Sequence, residues 1–575
     1  MSNNKQWTCT GEPNDPHPAK MLDMSESFCD VCGRSQKESK TKVPPPPPPI
    51  QPILVGLAMM LVLGGVGGLL FWLFNRPPEC KGGQILVNKA CECPAGQSFI
   101  DGTCQATALP PLPPELVAKI SGLNSLTTSS ANASTPAKPW QLQRFFKYRL
   151  NSDADQGVDL FNQQKFLEAF NAFKKAAIGD PKDPEVLIYK NNALAQTKAS
   201  ATTPLFRMAV IVPADKNADV AMEILRGVAQ AQERFNKDNG LNGRYLELIL
   251  ATDSNDPQTA RQLAQALSAV PDLLGVVGHN ISSVTQSVLP IYEAAGLAIV
   301  SPTSTSTQLK SRTFFRTVPS DEAMGTKLVD YLVSQKVQRV ALVYDDDTYS
   351  QSLLSIVENG LNEAQIQVKG RLDLTSSSSD PRQDLADLNS ALDSDRPEVI
   401  VLMPGQKNRS LINQLLKVNA QAKQRFQFVG SDTLYNSDTL AIGAEVVQGL
   451  ILAVPWARDS ATAERFTEQT RSQWKGDVGW RVATSYDAMQ ALIKTLSAQA
   501  DRASVLAALQ QLNLAPEDTS GESLTFTNGD RNGAALLVEA TNRTSCGQVA
   551  GTGMAFCLLP EERSASPQPN KSPKP

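Results

Sequence analysis

The chain has 575 residues, which is too long for a single hydrophobic core, so several domains are expected. Its formal net charge is −4 and both signs are mixed along the chain, which excludes the basic face that a nucleic-acid-binding domain needs. His17 and His279 are its only histidines, and it has no P-loop, HExxH or GxSxG motif, which argues against histidine-based metal or triad chemistry.

Cysteines in residues 1–34 predict a small zinc-ribbon-like cytoplasmic segment. Cys29 and Cys32 stand in FCDVCG, which resembles the second knuckle of a zinc ribbon, because a Cys-x-x-Cys pair turning on glycine presents two thiolates to zinc. Cys9 has no cysteine partner at the usual spacing, so His17 is the candidate fourth ligand, although it stands in a loop, Asp-Pro-His-Pro, with no enforced geometry. The alternative is a disordered tail with reducible thiols.

A linker and an apolar segment follow. Residues 35–52 include six consecutive prolines, which predict a stiff polyproline II spacer. Residues 53–74 are 22 residues without a charge, enough to cross the bilayer core of about 30 Å as a transmembrane helix. The segment lies too far from the N-terminus for an ordinary signal peptide, so we expect an uncleaved single-pass anchor in the lipid bilayer. Gly64 and Gly68 form a G-x-x-x-G step, which indicates self-association, although small residues are common in such helices.

The remaining cysteines indicate on which side of the membrane the main domain lies. Four of them stand in a Gly-rich module, residues 79–105, that has no room for a core, and such modules are usually disulfide frameworks of an oxidising compartment. A zinc site is the alternative there, but C-x-C lacks the knuckle spacing. Two more cysteines are expected to pair in residues 546–575, which otherwise form a disordered tail. The predicted disulfide cysteines are Cys80, Cys91, Cys93, Cys104, Cys546 and Cys557. We therefore expect a protein of the cell (inner) membrane with a cytoplasmic N-terminus and an extracytoplasmic main domain, which agrees with four Lys or Arg before the span against three after it.

Two segments separate this module from the main domain. Residues 106–140 are rich in Pro, Ser, Thr and Ala, which predicts a flexible linker. Residues 141–199 predict a helical hairpin, because apolar residues such as Phe166, Phe170 and Phe173 recur at helical spacing and Pro184 suits the start of a second helix. The hairpin resembles about one tetratricopeptide repeat, which either packs on its own chain or a partner, or only spaces the next domain.

Residues 205–545 alternate between strand-like and helix-like patterns. Strands are predicted at 208–212, 246–250, 273–277, 297–300, 340–344, 399–403, 426–429 and 450–454. Helices are predicted at 218–236, 256–269, 284–295, 321–335, 351–364, 382–393 and 409–422. This alternation predicts α/β architecture with doubly wound parallel sheets, and the length favours two lobes with a ligand between them.

Hydroxyl-rich loops follow two neighbouring predicted strands. Ser282 and Ser283 follow the strand at 273–277, and residues 301–307 follow the next one. Ligands of open α/β sheets bind beyond the carboxyl ends of the strands, and hydroxyls beside the start of a helix suit a carboxylate or another small anion. The alternative is that one serine simply caps the helix.

Residues 206–541 resemble the type I periplasmic solute-binding proteins, in particular their amino-acid branch, which includes the leucine/isoleucine/valine-binding protein. The segments that carry the resemblance, in the order of the family, are FRMAVIVPA, GVVGHNISSVTQSVLPIYEAAGLAIVSPTST, FFRTVPSDEAMG, RVALVYDDDTYSQSL, FVGSD, ATSYDAMQALI and LTFTNGDRNG. The resemblance implies two Rossmann-like lobes joined by a hinge. Lobe 1 is expected at about 205–318 and 450–515, and lobe 2 at about 319–449 and 516–541.

The resemblance also implies a ligand site. The family's carboxylate-binding serine and threonine fall on Ser282 and Thr305. Its backbone contact to the ligand ammonium falls on Thr303, its closing tyrosine on Tyr349, and its ammonium-binding acid on Asp432, which is one methylene shorter than the usual glutamate. A further family tyrosine, expected near residues 405–406, is absent, which leaves the side-chain preference open.

The residues themselves point the same way, since one carboxylate with several hydroxyls beyond separate strand ends suits a zwitterion. We therefore expect an anchored solute-binding protein that binds a small ligand, an amino acid in the first instance, by hinge closure, and that serves an ABC permease or a signalling partner. The alternative is an interaction scaffold or sensor that has lost amino-acid binding. We expect no enzyme, because no nucleophile–base–orienter set is visible, and no cofactor in the binding domain.

Overall fold

The computed structural model describes residues 6–12, 15–23, 85–87, 90–92, 97–100, 103–106, 113–122, 141–376, 380–390, 395–422, 425–543, 546, 552–560 and 562. The described helices, in chain order, are α1 (Pro114–Val117), α2 (Ser152–Asn162), α3 (Phe166–Gly179), α4 (Pro184–Lys198), α5 (Ala218–Lys237), α6 (Pro257–Ser268), α7 (Ser282–Ala294), α8 (Asp321–Ser334), α9 (Thr348–Glu363), α10 (Pro381–Ser390), α11 (Arg409–Gln421), α12 (Ser437–Ala441), α13 (Ala444–Val447), α14 (Glu464–Trp474), α15 (Trp480–Lys494) and α16 (Arg502–Gln510).

The described strands are β1 (Gln6–Glu12), β2 (Asp15–Asp23), β3 (Ile85–Val87), β4 (Ala90–Glu92), β5 (Gln97–Ile100), β6 (Thr103–Ala106), β7 (Ile120–Ser121), β8 (Phe206–Val212), β9 (Leu246–Thr252), β10 (Leu273–Val277), β11 (Ala298–Ser301), β12 (Phe314–Arg316), β13 (Arg339–Tyr344), β14 (Gln367–Asp373), β15 (Val399–Met403), β16 (Gln427–Gly430), β17 (Ile451–Val454), β18 (Asn513–Leu514), β19 (Leu524–Thr527), β20 (Asp530–Arg531), β21 (Leu536–Thr541) and β22 (Ala555–Leu558). These elements fall into two compact units, one within Met1–Glu79 and Asn88–Ala90 and the other within Cys80–Val87 and Cys91–Pro575.

The first unit contains an antiparallel pair, β1 and β2. Cys9 lies on β1, and His17, which we expected in a loop, lies on β2. That expectation was wrong because β2 begins at Asp15 and pairs with β1 on both sides of His17, at Pro16 with Gly11 and at Lys20 with Cys9. Cys29 and Cys32 lie outside the described residues, so the zinc site stays a prediction.

The predicted membrane span, residues 53–74, also lies outside the described residues. Within the part of the chain that the structure describes, no helix has both the length and the apolar character needed to cross a bilayer. Of the predicted disulfide module, Cys91 lies on β4 and Cys104 on β6, where it pairs in register with Phe99 of β5. Cys80 and Cys93 are outside the described residues, so the bonds of this module stay predictions.

The predicted hairpin at 141–199 is instead a set of three helices, α2, α3 and α4. The helical pattern is interrupted at Gln164, whose φ of 62° is left-handed and ends α2. Pro184 is the first residue of α4, and the Asp183 carboxylate accepts hydrogen bonds from the N–H groups of Glu185 and Val186.

These helices are packed on the sheet that follows them. Asn192 of α4 donates a hydrogen bond to the carbonyl of Leu248 on β9 at 2.8 Å, and Gln232 of α5 donates to Asn192. Strand β7 adds to the same sheet by pairing antiparallel with β9. The segment before the main domain is therefore part of the structure of its first lobe.

Lobe 1 is built on a sheet of nine described strands in the order β18-β19-β20-β12-β11-β10-β8-β9-β7. Its central strands are parallel, and β8, β9 and β10 are almost completely buried, as expected for a sheet covered by helices on both faces. The order reverses at β8, so that β9 lies on one side and β10 on the other. A crevice at such a switch point is where doubly wound sheets bind ligands.

Lobe 2 repeats the arrangement in a sheet of seven described strands, β14-β13-β15-β16-β17-β21-β22. Strands β13 to β17 are parallel, whereas β21 and β22 are antiparallel additions at one edge. Cys546 and Cys557 are joined in a disulfide beside this edge, with Cα atoms 5.5 Å apart. The two-lobed α/β architecture is confirmed, with mixed rather than purely parallel sheets.

The predicted lobe boundaries need correction. Strand β17, placed in lobe 1 by the sequence, pairs with β16 in lobe 2. Strands β19 and β20, placed in lobe 2, belong to the lobe 1 sheet, where β20 pairs with β12. The reason is that a short buried strand has the same pattern in either sheet, so only tertiary pairing decides which sheet it joins.

Candidate functional site

A cavity of about 600 Å³ lies between the two lobes. Five of the six residues predicted to bind a ligand line it: Ser282, Ser283, Thr303, Tyr349 and Asp432. Thr305 does not line it, because its side chain is buried beside Asp321, and the carbonyl of Thr305 accepts a hydrogen bond from the Asp321 N–H at 2.9 Å. Its predicted contact with a ligand carboxylate is therefore not supported by this geometry.

The lobe 1 wall begins at the loop between β10 and α7. Gly278 has a φ of +141°, and a Cβ there would lie 2.8 Å from the Ile211 carbonyl oxygen, so only glycine fits. Below the loop, the buried His279 ring contacts Asp253 Oδ2 at 2.7 Å and the Tyr292 hydroxyl at 3.2 Å. These contacts fix the direction in which α7 starts.

Helix α7 presents an uncapped N-terminus to the cavity. Its N-cap residue is Ile281, which has no polar side chain, so neither Ser282 nor Ser283 is the cap that we considered as an alternative. Both serines are instead the first residues of the helix, where N–H groups point outward along the axis and carry the positive end of the helix dipole. Ser282 Oγ accepts a hydrogen bond from the Ser306 N–H at 3.3 Å.

The second hydroxyl cluster mainly braces the first loop. Ser301 and Ser304 donate hydrogen bonds to the carbonyl of His279 at 3.1 and 3.2 Å. Thr303 donates to the carbonyl of Asn280 at 2.7 Å and still lines the cavity. The two clusters are therefore adjacent, as strand order requires, but Ser301 and Ser304 are structural.

The lobe 2 wall carries a buried carboxylate. Asp432 follows β16, is only 4% exposed, and accepts a hydrogen bond from the Tyr349 hydroxyl at 2.7 Å. Burial raises the pKa of Asp432, while the Tyr349 hydrogen bond and the charge of Arg481 act in the opposite direction. Tyr349 is held at the start of α9, whose cap is Asp347.

The acidic run after β13 has structural partners. Asp345 accepts hydrogen bonds from the Gly405 N–H and from Asn408, and Asp347 accepts one from the Ser350 N–H. A Cβ on Gly405 would lie 1.8 Å from Asp347 Oδ2, which explains why no tyrosine occurs at this position.

Among the cavity residues that the sequence reasoning missed, Trp480 and Arg481 are the most informative. Trp480 and Arg481 open α15 and line the cavity from lobe 1. The available signal was a charged residue at the start of a helix that is otherwise buried on nearly every face. A buried arginine whose Nε has no acceptor among the described residues, and whose contact with Glu223 is as long as 3.5 Å, indicates a site, since such charges are rarely left so weakly paired.

Comparison with known proteins agrees with this geometry. A family model described as periplasmic binding protein matches residues 215–544. The chain belongs to the periplasmic binding protein family.

Individual members of this family show how far the likeness extends. An amino acid binding protein of Pseudomonas aeruginosa is 34% identical over 151 residues, which are 26% of this chain and only 40% of that protein. The Leu/Ile/Val-binding protein of Escherichia coli is 27% identical over 285 residues, 48% of this chain and 75% of that protein. The crystal structure of an ABC transporter substrate-binding protein from Desulfitobacterium hafniense in complex with Leu is 20% identical, with a TM-score of 0.52, and the match covers 62% of this chain and 99% of that one. At that identity the likeness concerns the fold alone.

Proposed function

We propose that this chain is an extracytoplasmic solute-binding protein that holds an α-amino acid between its lobes. The observation that carries the proposal is the charge pattern of the cavity. An uncapped helix N-terminus with two serines lies on one wall, and a buried carboxylate lies on the other. Opposite ends of a zwitterion match these two walls.

The carboxylate of the ligand is assigned to the start of α7. The N–H groups of the first turn and the hydroxyls of Ser282 and Ser283 are donors, and the helix dipole favours an anion there. Thr303 adds its backbone carbonyl as an acceptor for the ligand ammonium.

The ammonium is assigned to Asp432. The Tyr349 hydroxyl donates to Oδ1 of this carboxylate, and an ionised carboxylate has about four acceptor sites, so it can also accept from a cation. Because the ammonium loses its water in a closed cleft, it requires a charged acceptor. Of the acids that line the cavity from lobe 2, Asp345 and Asp432 are the most buried. The oxygens of Asp345 already accept hydrogen bonds from Gly405 and Asn408, which leaves Asp432 as the acceptor.

The fold provides for hinge closure. The chain crosses between the lobes after β12, after β17 and after β20, as the sheet membership of these strands requires. Closure about these crossings brings Tyr349 and Asp432 toward Ser282. The membership in a family of solute-binding proteins rather than enzymes supports a role without catalysis.

We further propose that residues 53–74 anchor the protein and that it serves an ABC permease or a signalling partner. The relatives include a Leu/Ile/Val-binding protein and an ABC transporter substrate-binding protein, which supports the transport role. A zinc ion on Cys9, His17, Cys29 and Cys32 is the accompanying proposal for the cytoplasmic segment.

The test is calorimetry on the purified full-length protein. A thermal-shift screen of the common amino acids identifies the ligand, because a ligand at 100 times its Kd adds about 2.7 kcal/mol of stability. Asp432→Asn removes the charge but keeps the shape, and we expect binding weaker by about 30-fold or more. Ser282→Ala removes a hydrogen bond to a charged group, worth about 1.5–3 kcal/mol.

Asp330→Asn is the matched control, because Asp330 is an exposed acid of lobe 2 outside the cavity. Affinity of Asp432→Asn equal to that of the wild type contradicts the zwitterion assignment. If no amino acid binds at all, the scaffold alternative replaces it.

A further inference from the structure

The cavity contains a positive charge that a simple zwitterion leaves unused. Arg481 is 3% exposed and lines the cavity from lobe 1. Among the described residues its Nε has no hydrogen-bond acceptor, and its Nη1 lies 3.5 Å from Glu223 Oε2, the outer limit of a hydrogen bond. A planar guanidinium suits a bidentate anion, so part of its fork is available to a ligand.

Trp480 provides a second donor beside it. The Trp480 ring is 2% exposed, and the guanidinium carbon of Arg481 lies 4.3 Å from its centroid, which holds the guanidinium in place by a cation–π contact. The buried indole Nε1 also has no acceptor among the described residues. Two adjacent buried donors that both line the cavity thus lack acceptors, which is unfavourable until a ligand supplies them.

The charge of Arg481 also affects the proposed ammonium site. Arg481 and Asp432 line the same cavity, and the positive charge of Arg481 lowers the pKa of Asp432, so the same charge opposes the binding of an ammonium at Asp432. A ligand that brings a negative group to Arg481 removes that repulsion and satisfies both donors. A ligand with an apolar side chain leaves the guanidinium buried without an additional counter-charge.

We propose that Arg481 and Trp480 bind a second carboxylate of the ligand, so that the protein selects acidic amino acids, with one ammonium and two carboxylates. This inference rests on the proposed function and adds the side-chain class to it. A cavity of about 600 Å³ has room for such a ligand with both carboxylates apart.

The experiment compares isosteric ligands on the full-length protein. L-Glutamate and L-glutamine have the same shape and differ in one charge, as do L-aspartate and L-asparagine. We expect the acids to bind at least about 30-fold more tightly than the amides, as for the loss of one buried charge pair. Arg481→Gln is expected to abolish this preference, because it weakens the binding of the acids far more than that of the amides.

Two variants keep the result interpretable. Arg481→Lys retains the charge without the planar fork and is expected to keep part of the preference. Arg471→Gln removes an exposed positive charge of lobe 1 outside the cavity, where it pairs with Asp477, and is expected to bind like wild type. Circular dichroism melting checks that each variant is folded. If Arg481→Gln is unfolded, Arg481→Lys is used in its place. A preference of Arg481→Lys for acids over amides equal to that of the wild type, with normal affinity for the amides, overturns the assignment.

The outcomes separate this inference from the proposed function. If leucine or glutamine binds as tightly as glutamate and Arg481→Gln leaves the ratio unchanged, the second carboxylate site is overturned while the amino-acid function stands. If glutarate, which lacks the ammonium, binds as tightly as glutamate, the Asp432 assignment is overturned and the Arg481 site is supported. Binding of none of the common amino acids overturns both.

Discussion

Asp321 is the most unusual single residue near the cleft. It is fully buried at the start of α8, and neither of its carboxylate oxygens makes a hydrogen bond of standard geometry among the described residues. Its pKa is raised to about 7, mainly by burial and also by the charge of Asp432, whereas the nearby hydroxyls of Thr305 and Ser352 and the charge of Arg316 act in the opposite direction. The folded protein therefore holds a proton on Asp321 that the unfolded chain releases at much lower pH.

The first prediction at this scale concerns stability against pH. Between the ordinary value of 3.8 and about 7 the folded state binds more protons than the unfolded state, so stability falls as pH rises through this window and levels off above it. Asp321→Asn keeps the shape without the titration, and we expect it to be more stable than wild type at pH 8, by about 1–4 kcal/mol, with little gain at pH 4. Denaturant unfolding at both pH values measures the difference, and an equal gain at both would contradict the assignment.

The residue scale also shows what a sequence can and cannot reveal about the site. Ser282, Tyr349 and Asp432 were predicted from the family resemblance, and each also follows the end of a strand, where the strand ends meet at one edge of a sheet. Thr305 was misplaced because a hydroxyl four residues beyond a strand can turn either toward a cleft or under it. Arg481 was missed because it opens a helix rather than following a strand.

At the scale of elements, α4 is held by a buried ionic cluster. Arg144 is 5% exposed, and its guanidinium lies 3.1 Å from Asp183 Oδ2 and 3.5 Å from Glu185 Oε2. Glu185 also accepts hydrogen bonds from the N–H groups of Phe145 and Phe146, so it joins the segment before α2 to α4. Burial raises the pKa of Glu185 to about 7, which the charge of Arg144 opposes.

The second prediction is that Arg144→Met destabilises the protein by about 3–5 kcal/mol at pH 8, because it leaves two carboxylates buried without their cation. The loss should be smaller at pH 6, where Glu185 can take up a proton. Lys175→Met is the control, since Lys175 pairs with Asp153 at 2.8 Å on the surface and should cost under about 1 kcal/mol. Thermal unfolding of the two variants at both pH values measures the effect, and an Arg144→Met protein as stable as the control would show that the cluster is dispensable.

Long elements were predictable and short ones were not. The helices expected at 218–236 and 321–335 occur as α5 and α8, within one residue at each end, because their apolar stripes are long and their caps are clear. Strands β7, β18 and β20 have two residues each, too few for any periodicity, and exist only through pairing with a neighbour. The lobe boundary was misplaced for a different reason, because a buried strand such as β17 was recognised but its pattern does not show which sheet it joins.

At the scale of the whole molecule, the attachment of the N-terminal segment to one lobe determines which lobe moves relative to that segment during hinge closure. Strand β7 and helix α4 are both built onto lobe 1, so chain that precedes them is connected to this lobe. Lobe 2 carries Tyr349 and Asp432 and is joined only through the interlobe crossings and contacts such as that of the Thr307 N–H with Ser352 Oγ at 3.0 Å. Ligand binding is thus expected to move lobe 2 relative to lobe 1 and its N-terminal extension.

The last prediction concerns the topology of the complete chain. Cys9, Cys29 and Cys32 precede the predicted span at 53–74 and have zinc-knuckle spacing in part, whereas the other six cysteines follow it. We expect the first three to be reduced in the cytoplasm and the six to be oxidised outside; the structure joins Cys546 and Cys557 in a disulfide, which agrees with oxidation of that pair. A membrane-impermeant thiol reagent applied to intact cells should therefore label nothing before reduction and only the six after it.

A variant with both Cys29→Ser and Cys32→Ser makes this test specific. It should leave the labelling of intact, reduced cells unchanged and should lower the labelling only after the cells are permeabilised, because the knuckle lies on the inner side. A double variant of Cys546 and Cys557 should instead lower the labelling of intact, reduced cells, since the predicted orientation places this disulfide outside the membrane. If Cys29 and Cys32 account for labelling of intact cells, the orientation is inverted, and the ligand cleft would then face the cytoplasm, where no periplasmic solute could reach it.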